Sequence, residues 1–483
     1  MGGNRTYFRI ILVSVILLFT FLLVYGPHFY YKYPYHIDEW RHISEAIKIG
    51  QGELPKNHFL LEVGFDFFLW VLSNVGFNLV LGYKYLPAVF ACISSLVLFL
   101  FVYRKTSKFY IALLSMVFFA SLRSNVNVTG LWFFTPLTFA IPLIFLFFWL
   151  FSEGVEKNKI KLIYWSFLVY FIILISHPVS ATFMIPILIV YLIAHRKFVK
   201  TNYKLFLLFL AIPFLAFIIF FKFFWKGSLI NTLNFLFSFI FFRYGWGVLE
   251  IKYNIITFYG IVAFIFAVIG TYFAYKNKKY IFVIWPLTLL FFIILFHLFN
   301  FTVLAPYQRI LYYTILGLVP LSAIGLYHTL NMIKDIFRKY LPNRHGTIFS
   351  VIIRSIIFVT IFLAVFYNYY NVDKQVGLYR VIDDNSYSAV KFLQQFPKTT
   401  VLAPVDVSTA VFPISGHDIL ATFYFYNKVD RKIVDEVYMS GNCSKIFELA
   451  RKYNGEFILS GAPMTNCGWN EVYNNGYYIY KIQ

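Results

Sequence analysis

Charged residues are scarce in this sequence of 483 residues. Only 13% are Asp, Glu, Lys or Arg, whereas soluble domains usually carry about 25%. Hydrophobic residues make up 60% of the chain, and the mean hydropathy is +0.70. Apolar runs recur from Ile10 to Tyr370, and each has about the 20 residues that cross a bilayer. The composition therefore excludes an ordinary soluble enzyme and predicts an integral membrane protein.

Acidic residues are scarcer than basic ones, with 21 Asp and Glu against 42 Lys and Arg. This excess does not indicate a nucleic-acid partner, because residues 371–483 are neutral, with 11 residues of each sign. All of the surplus lies in 1–370, mostly in short loops between apolar runs. Basic short loops mark the cytoplasmic side of a membrane protein. The charge pattern therefore predicts a multi-pass cell-membrane protein with a cytoplasmic N-terminus and an extracytoplasmic C-terminus.

The loop charges predict about eleven spans. The apolar stretch 59–81 is left out, because a further crossing would place the basic loop at Arg104 outside. This stretch carries Glu62 and Asp66, and a carboxylate at the bilayer centre costs about 2.5–3.5 kcal/mol. We expect it to be interfacial or re-entrant on the outer side. The predicted spans are 10–25, 85–103, 109–123, 132–151, 162–176, 179–194, 203–224, 254–275, 280–300, 310–332 and 349–370.

The sequence Ser176-His177-Pro178 divides two of these apolar runs, 162–176 and 179–194. Both runs are short for a membrane span. They form either two short spans that meet at the outer face or one broken, re-entrant pair. Counting of loop charges does not separate these two possibilities.

Cysteine is also rare, with three in the whole chain. Cys92 lies inside an apolar run, where it packs as a small hydrophobic residue. Cys443 and Cys467 lie in the C-terminal tail, where outside the cell they either form a disulfide or remain two thiols. A bridge between them would close a loop of about 25 residues and stabilise the tail by roughly 3 kcal/mol.

The tail alternates helical and strand patterns and predicts a small α/β domain. Helices are predicted at 386–396 and 443–453, and strands at 399–403, 457–459 and 477–482. The predicted fold is thus an all-α polytopic membrane bundle over 1–370, with an acidic first outer loop at 27–81. A small extracytoplasmic α/β domain follows over 371–483.

Several common catalytic motifs are missing. The chain has no Gly-rich phosphate loop, Cys-x-x-Cys pair, His-Glu-x-x-His helix or Gly-x-Ser-x-Gly elbow. What it has instead is an acidic first loop within a basic protein. Six of the ten acidic residues of 1–370 fall in this short stretch: Asp38, Glu39, Glu45, Glu53, Glu62 and Asp66.

Asp38 and Glu39 are predicted to open a helix. Trp40, Ile43 and Ile47 form an apolar stripe on it that is suited to lie on the membrane, and Asp38 and His42 are one turn apart on the same side. The conservative interpretation makes Asp38 an N-cap and Glu39 a first-turn charge favoured by the helix dipole. A catalytic role is compatible with either position.

Basic side chains occur at the predicted outer ends of spans, notably Arg123, His177 and Arg309. The conservative interpretation is snorkelling to the interface for the two arginines, and satisfaction of a broken helix's carbonyls for His177. Outer-side arginines oppose the orientation rule, however, and Arg suits the binding of phosphate. These side chains are therefore candidate ligands for an anion.

At Asp38-Glu39 the chain resembles the GT-C superfamily of glycosyltransferases. The pair is similar to the Asp-Glu pair in the first loop of protein O-mannosyltransferases and lipid A aminoarabinose transferases. Segment 55–68, Ser176-His177-Pro178 and Tyr307-Gln308-Arg309 resemble outer-edge features of prokaryotic, particularly archaeal, members. The resemblance covers nearly the whole chain in order of elements. The tail lacks the Trp-Trp-Asp-Tyr-Gly motif of oligosaccharyltransferase catalytic subunits, which disfavours that branch.

The resemblance implies an inverting transfer of a sugar from a polyprenyl-phosphate donor to a glycan, lipid or protein acceptor at the outer membrane face. It implies that Asp38 is the general base and that Glu39 supports the base or the sugar. The expected partners are membrane lipid, the lipid-linked sugar and the acceptor, with no nucleic acid. Candidate substrate-binding residues are His42, Glu62, Arg123, His177 and Arg309.

No cofactor is certain from the sequence. A divalent cation is a candidate, but residues 124–130 carry no second acidic motif after the third span, so the metal requirement stays open. Two other functions remain open as well. The first is a transporter or flippase of lipid-linked sugars, which would need ionisable groups deep within its spans. The second is a non-catalytic scaffold for polysaccharide assembly in the cell envelope.

Overall fold

The computed structural model describes most of the chain. The described residues are 2–54, 61–124, 130–207, 211, 215, 230, 241–242, 254–303, 305–340, 344–370, 380–422 and 429–482. They pack as two units. The first comprises Met1–Pro27, Lys56–Phe65 and Tyr85–Lys374, and the second comprises His28–Pro55, Asp66–Lys84 and Gln375–Gln483.

The first unit consists almost entirely of helices. Its sequence is strongly apolar on all sides of these helices, as expected where lipid replaces water. The chain begins with α1 (Gly2–Tyr25), and the first loop that follows carries α2 (Ile37–Gly50) and α3 (Val63–Asn74). The next helices, before residue 208, are α4 (Leu86–Thr106), α5 (Phe109–Ala120), α6 (Pro136–Glu156), α7 (Ile160–Ser176), α8 (Pro178–Ala194) and α9 (Arg196–Thr201). The helices after residue 254 are α10 (Ile255–Tyr259), α11 (Ile261–Lys276), α12 (Tyr280–Phe299), α13 (Tyr307–Tyr340) and α14 (Arg344–Tyr370).

The helices match the predicted spans closely. Among the described residues, six are long and apolar enough to cross a membrane, and shorter apolar helices accompany them. Ten of the eleven predicted spans coincide with apolar helices of one class or the other. The remaining prediction, 203–224, lies largely outside the described residues. The polytopic helical bundle is therefore confirmed.

Three details refine the predicted spans. Helices α3 and α5 have 12 residues each, fewer than the roughly 17–25 that a helix needs to span a bilayer of about 30 Å. Helices α7 and α8 have 17 residues each, the lower limit for a span. The predicted span 254–275 is two helices, α10 and α11, because Gly260 has a φ of +91° and interrupts the chain between them.

Helices α11 and α13 meet at backbone contact. A Cβ at Gly270 would lie 1.8 Å from the carbonyl oxygen of Leu321, and a Cβ at Gly325 would lie 1.9 Å from that of Phe266. Small residues allow such a close approach. The resulting van der Waals packing holds helices together in lipid, where the hydrophobic effect does not. The two glycines therefore fix the crossing of these helices.

The second unit is built around a five-stranded sheet. Its strands are β3 (Thr400–Leu402), β4 (Asp418–Ile419), β5 (Gly455–Ser460), β6 (Asn470–Asn474) and β7 (Tyr478–Lys481), whereas β1 (Phe241–Phe242) and β2 (Thr302–Val303) form a small pair in the first unit. The order is β4-β3-β5-β7-β6, with β3 parallel to both neighbours and β7 antiparallel to both of its own. The small α/β domain predicted from the sequence is thus confirmed.

Four helices accompany the sheet: α15 (Asp384–Phe392), α16 (Val405–Ser415), α17 (Arg431–Ser440) and α18 (Cys443–Lys452). Leu402, Ile446 and Ile458 are buried together in one core. Cys443 and Cys467 are joined by a disulfide, with their Cα atoms 5.3 Å apart. The bridge connects the start of α18 to the 3₁₀ turn Thr465–Cys467.

The first loop packs with the C-terminal residues, a grouping that differs from the predicted boundary at residue 370. Tyr31 donates a hydrogen bond to the carbonyl of Ile382 (2.8 Å), and Tyr33 donates to Asp384 (2.8 Å). Lys32 also bonds Asp384 at 2.8 Å. The bonds from Lys32 and Tyr33 lower the pKa of the Asp384 carboxyl, because they stabilise its charged form. A segment of alternating tyrosines therefore attaches the acidic loop to the C-terminal domain.

Candidate functional site

Helix α2 begins at Ile37, and His36 is its N-cap. The imidazole of His36 accepts a hydrogen bond from the Asp38 amide (3.1 Å), and the carboxylate of Glu39 accepts one from the His36 amide (2.9 Å). Together these bonds form a capping box. The interpretation of Asp38 as the N-cap is therefore wrong, because the helix starts two residues earlier than that interpretation requires.

The two adjacent acids have different surroundings. Glu39 is 0% exposed and its carboxylate is engaged in the cap. The side chain of Asp38 is 38% exposed, with one carboxylate oxygen 3.3 Å from Nδ1 of His36. Asp38 is therefore partly accessible, whereas Glu39 holds the start of the helix.

The apolar stripe of α2 faces protein rather than lipid, so its predicted membrane-surface position is wrong. Trp40 and Ile43 are fully buried, and the indole of Trp40 donates to the carbonyl of Pro34 (3.1 Å). The helix packs against α16 within the second unit. The amphipathic pattern was correct, but burial against another part of the protein gives the same pattern as burial in lipid.

His42 lies in a buried polar chain. Its Nδ1 is 2.5 Å from Oδ1 of Asp66, and its Nε2 is 2.6 Å from a guanidinium nitrogen of Arg41. Because the guanidinium only donates, Nε2 accepts and Nδ1–H donates to Asp66. Both ring nitrogens are thus occupied, and His42 and Asp66 are 0% and 1% exposed. This pairing explains how an apolar helix, α3, accommodates a carboxylate.

In the first unit, segments far apart in sequence meet at the break between α7 and α8. A Cβ at Gly64 would lie 2.8 Å from the Ser176 hydroxyl and 3.0 Å from the Ile175 carbonyl. The segment that carries Glu62 therefore packs directly on Ser176-His177-Pro178. Two motifs that the sequence analysis identified separately are neighbours in the fold.

His177 joins this break to α13. Its Nδ1 is 2.6 Å from the Ser180 hydroxyl, which is 2.8 Å from the phenolic oxygen of Tyr313. The charge of Arg309, one helical turn before Tyr313, acts on that phenol, as does the charge of Glu62. His177 therefore contacts the Ser180–Tyr313 pair, and Glu62 and Arg309 lie close enough to Tyr313 for their charges to act on it.

Arg123 lies beside the same cluster and has a structural partner. It donates to the carbonyl of Thr257 at 2.7 Å, next to the helix break at Gly260. The neighbouring Phe258 ring contacts Tyr312 with its centroid at 6.5 Å. We call Glu62, Arg123, His177, Arg309 and Tyr313, with Gln308 and Tyr312, the bundle cluster.

Among the described residues, the predicted site residues neither form a cluster of metal ligands nor line the cavity of the second unit. In the part of the chain that the structure describes, no three His, Cys, Asp or Glu side chains converge as metal ligands. A cavity of about 490 Å³ opens in the second unit, where Lys48, Lys398 and Glu456 are among its lining residues. None of the predicted site residues lines this cavity.

Comparisons with known proteins identify the fold but not a family. By sequence, no family model and no curated protein matches the chain. By structure, it is similar to ArnT from Cupriavidus metallidurans in the apo state, with a TM-score of 0.61, 12% identity, and coverage of 99% of this chain and 98% of that chain.

The chain is also similar to the oligosaccharyltransferase of Archaeoglobus fulgidus. The apo form has a TM-score of 0.61 at 10% identity, covering 95% of this chain and 70% of that one. The same enzyme, called AglB, in complex with an inhibitory peptide and a dolichol-phosphate has a TM-score of 0.55 at 11% identity, with the same coverage. These likenesses confirm the resemblance to the GT-C superfamily at the level of the fold.

Some residues of the site were not found from the sequence. Tyr31 and Tyr33 attach the acidic loop, and their alternation in a Tyr-rich segment was the available signal. Arg41 and Tyr313 were also missed, because their importance depends on contacts with residues distant in sequence. A single helical pattern carries no information on such pairs.

Proposed function

We propose that this protein is a membrane glycosyltransferase that moves a sugar from a polyprenyl-phosphate carrier to an acceptor hydroxyl at the outer membrane face. The observation that carries the proposal is the division of labour between Asp38 and Glu39. A general base must be accessible to the proton that it abstracts, and Asp38 has a partly exposed carboxylate at the start of a firmly capped helix. Such a base typically accelerates transfer by about 10²–10⁴-fold.

The donor class is supported by the fold neighbours. AglB was determined with a dolichol-phosphate, and the same Archaeoglobus enzyme was determined tethered with an acceptor peptide. The described apolar helices of the present chain would hold the hydrocarbon tail of such a lipid. We therefore propose a polyprenyl-phosphate-linked sugar as the donor, with a glycan, lipid or protein as the acceptor.

The bundle cluster supplies the cationic groups that this reaction needs. Cleavage of the sugar–phosphate bond leaves negative charge on the phosphate, and positioned cations stabilise it. We assign this role to Arg309, with His177 and Arg123 in support. Arg suits phosphate because its planar fork donates two parallel hydrogen bonds.

His42 and Glu39 have positioning roles in this proposal. His42 is fully buried between Arg41 and Asp66, so it orients α2 and with it the base. Glu39 completes the cap at the same helix end. A single displacement that uses one carboxylate inverts the anomeric configuration, and we expect inversion here.

Asp38→Asn tests the proposal directly. Asn is nearly isosteric but cannot accept the proton of the acceptor at neutral pH. We expect the loss of transfer from a radiolabelled polyprenyl-phosphate sugar in proteoliposomes, by about 10²-fold or more. Because His36 is the cap, the change should alter thermal stability only through the helix dipole, by about 0.3–1 kcal/mol.

The matched control is Glu448→Gln, which neutralises an exposed carboxylate on α18. This variant should transfer sugar at the wild-type rate. Wild-type turnover by Asp38→Asn would reject Asp38 as the base and leave it a first-turn charge. Loss of donor binding together with loss of turnover would instead assign Asp38 to substrate binding.

A further inference from the structure

Two polar side chains at the start of α13 are buried with no hydrogen-bond partner among the described residues. Gln308 is 3% exposed, and both its amide oxygen and its amide nitrogen lack a partner. Tyr312 is 0% exposed, and its hydroxyl lacks a partner. The two residues are four positions apart, so their side chains lie on the same face of the helix, with Cβ atoms about 5–6 Å apart.

This arrangement is costly for the protein. A buried polar group without a partner is destabilising, and native structures retain few of them. Three such atoms on one helix face therefore indicate a polar occupant that completes their hydrogen bonds. The neighbours support this reading, because Arg309 lies between the two residues in sequence and its charge acts on Tyr312.

The chemistry of the unsatisfied atoms indicates what the occupant is. An amide offers both a donor and an acceptor, and a phenol does the same. An anion would use only the donors and leave the amide oxygen of Gln308 without a partner. A hydroxylated ring uses both kinds of group, because each of its hydroxyls donates and accepts.

We propose that Gln308 and Tyr312 bind the hydroxyl groups of the transferred sugar, while Arg309 binds the adjacent phosphate. This inference rests on the proposed function and adds to it the residues that select the sugar. Sites built to hydrogen-bond a hydroxyl discriminate strongly against ligands that lack it, because their own polar groups are otherwise left buried and unpaired. Gln308 and Tyr312 are thus specificity-determining residues for the donor.

The test compares binding of two kinds of lipid, without and with a sugar, to the full-length protein in detergent. The probes are undecaprenyl phosphate and undecaprenyl-phosphoryl-hexoses, with glucose and mannose as the hexoses. Wild-type protein should bind at least one hexose-bearing lipid about tenfold more tightly than the bare phosphate. Tyr312→Phe and Gln308→Met should each reduce that preference by about 2- to 10-fold, the worth of one ordinary hydrogen bond, and leave binding of undecaprenyl phosphate unchanged.

Thermal stability without lipid gives an independent readout. Tyr312→Phe removes only an unpaired hydroxyl, so its melting temperature should equal or exceed that of the wild type. A clear drop would mean that the hydroxyl already has a structural partner and would overturn the inference. Tyr272→Phe, which changes an exposed tyrosine on α11, is the control and should alter neither readout.

The outcomes separate this inference from the proposed function. If both lipids bind and the variants keep the wild-type preference, the sugar is read elsewhere and only this inference fails. The same conclusion follows if the wild type does not distinguish the lipids, since water would then fill the site. If neither lipid binds the wild-type protein, the proposed donor class fails and the inference fails with it.

Discussion

At the scale of single residues, the proposed function depends on two adjacent carboxylates, Asp38 and Glu39. They are neighbours in sequence, but their surroundings in the structure differ. Glu39 is buried and accepts a backbone hydrogen bond at a helix N-terminus, whereas the side chain of Asp38 is partly exposed. Enzymes commonly use one carboxylate for chemistry and hold a neighbouring one in a fixed role by its environment.

His417 provides a residue-scale prediction about pH. Burial lowers the pKa of His417 below the ordinary value of 6.5, and the nearby charge of Lys398 acts in the same direction. Its Nε2 lies 3.1 Å from the carbonyl of Pro397, and its Nδ1 finds no partner among the described residues. Burial therefore disfavours the protonated ring more than the backbone carbonyls of Pro397 and Ser415 favour it.

The sign of the effect follows from linkage. His417 binds a proton more tightly in the unfolded chain than in the folded chain. Neutral His417 therefore makes its full contribution to the free energy of unfolding above about pH 6.5, and this contribution is lost as the pH falls below that value. The loss approaches 1.4 kcal/mol per pH unit at most for one proton. We expect the second unit, in the full-length protein, to melt at a lower temperature at pH 5 than at pH 7.

His417→Gln is the matched variant, because Gln keeps an N–H donor but does not titrate. Limited proteolysis during heating follows the melting of the second unit in both proteins. The difference between pH 5 and pH 7 should shrink in the variant. An unchanged difference would assign the pH dependence to other groups.

At the scale of elements, the crossing of α11 and α13 depends on two glycines. Their backbones approach so closely that a methyl group at Gly325 would overlap the carbonyl oxygen of Phe266. Backbone atoms cannot move aside as a flexible side chain can. The two helices would have to separate, with loss of packing along their length.

Gly325→Ala should therefore destabilise the protein by about 1–3 kcal/mol, which is the usual cost of overpacking. The control is Gly26→Ala, since a Cβ at Gly26 meets nothing within 4 Å. Thermal unfolding in detergent measures both variants. Equal melting temperatures for Gly325→Ala and the wild type would show that α11 and α13 are not in backbone contact.

The helices were largely predictable from sequence, because hydrophobic length is a local property. The separation of α7 from α8 at His177-Pro178 was predicted for the same reason, whereas the break at Gly260 was missed, because a glycine inside an apolar run does not by itself end a helix. The burial of the α2 stripe did not, because an amphipathic helix shows only that one face is covered and not what covers it. Helices α16 and α17 were not identified in the tail.

At the scale of the molecule, the first loop belongs with the C-terminal residues. Tyr31 and Tyr33 bond Ile382 and Asp384 across 351 positions of sequence. Hydrophobic periodicity carries no information on pairs of residues that are distant in sequence. For the same reason the partners of His42 and His177 were not predicted. The candidate residues themselves were predicted from local signals, namely acids in a basic protein and cations at helix ends.

The predicted orientation of the whole molecule is open to a direct test. The loop charges predict that the C-terminus is outside the cell, where Cys443 and Cys467 would be oxidised to a disulfide. Protease added to intact spheroplasts should remove the tail, and thiol labelling without reductant should modify neither cysteine. Protection of the tail, or labelling of both thiols, would contradict this orientation.

The central claim is that the protein transfers a sugar from a polyprenyl-phosphate carrier. The most direct measurement follows a radiolabelled undecaprenyl-phosphoryl hexose in proteoliposomes, with a native membrane extract as the source of acceptor. We predict that wild-type protein consumes the donor and releases undecaprenyl phosphate, and that Asp38→Asn releases at least about 10²-fold less. Intact donor that moves between leaflets without release of undecaprenyl phosphate would contradict the account and indicate a flippase.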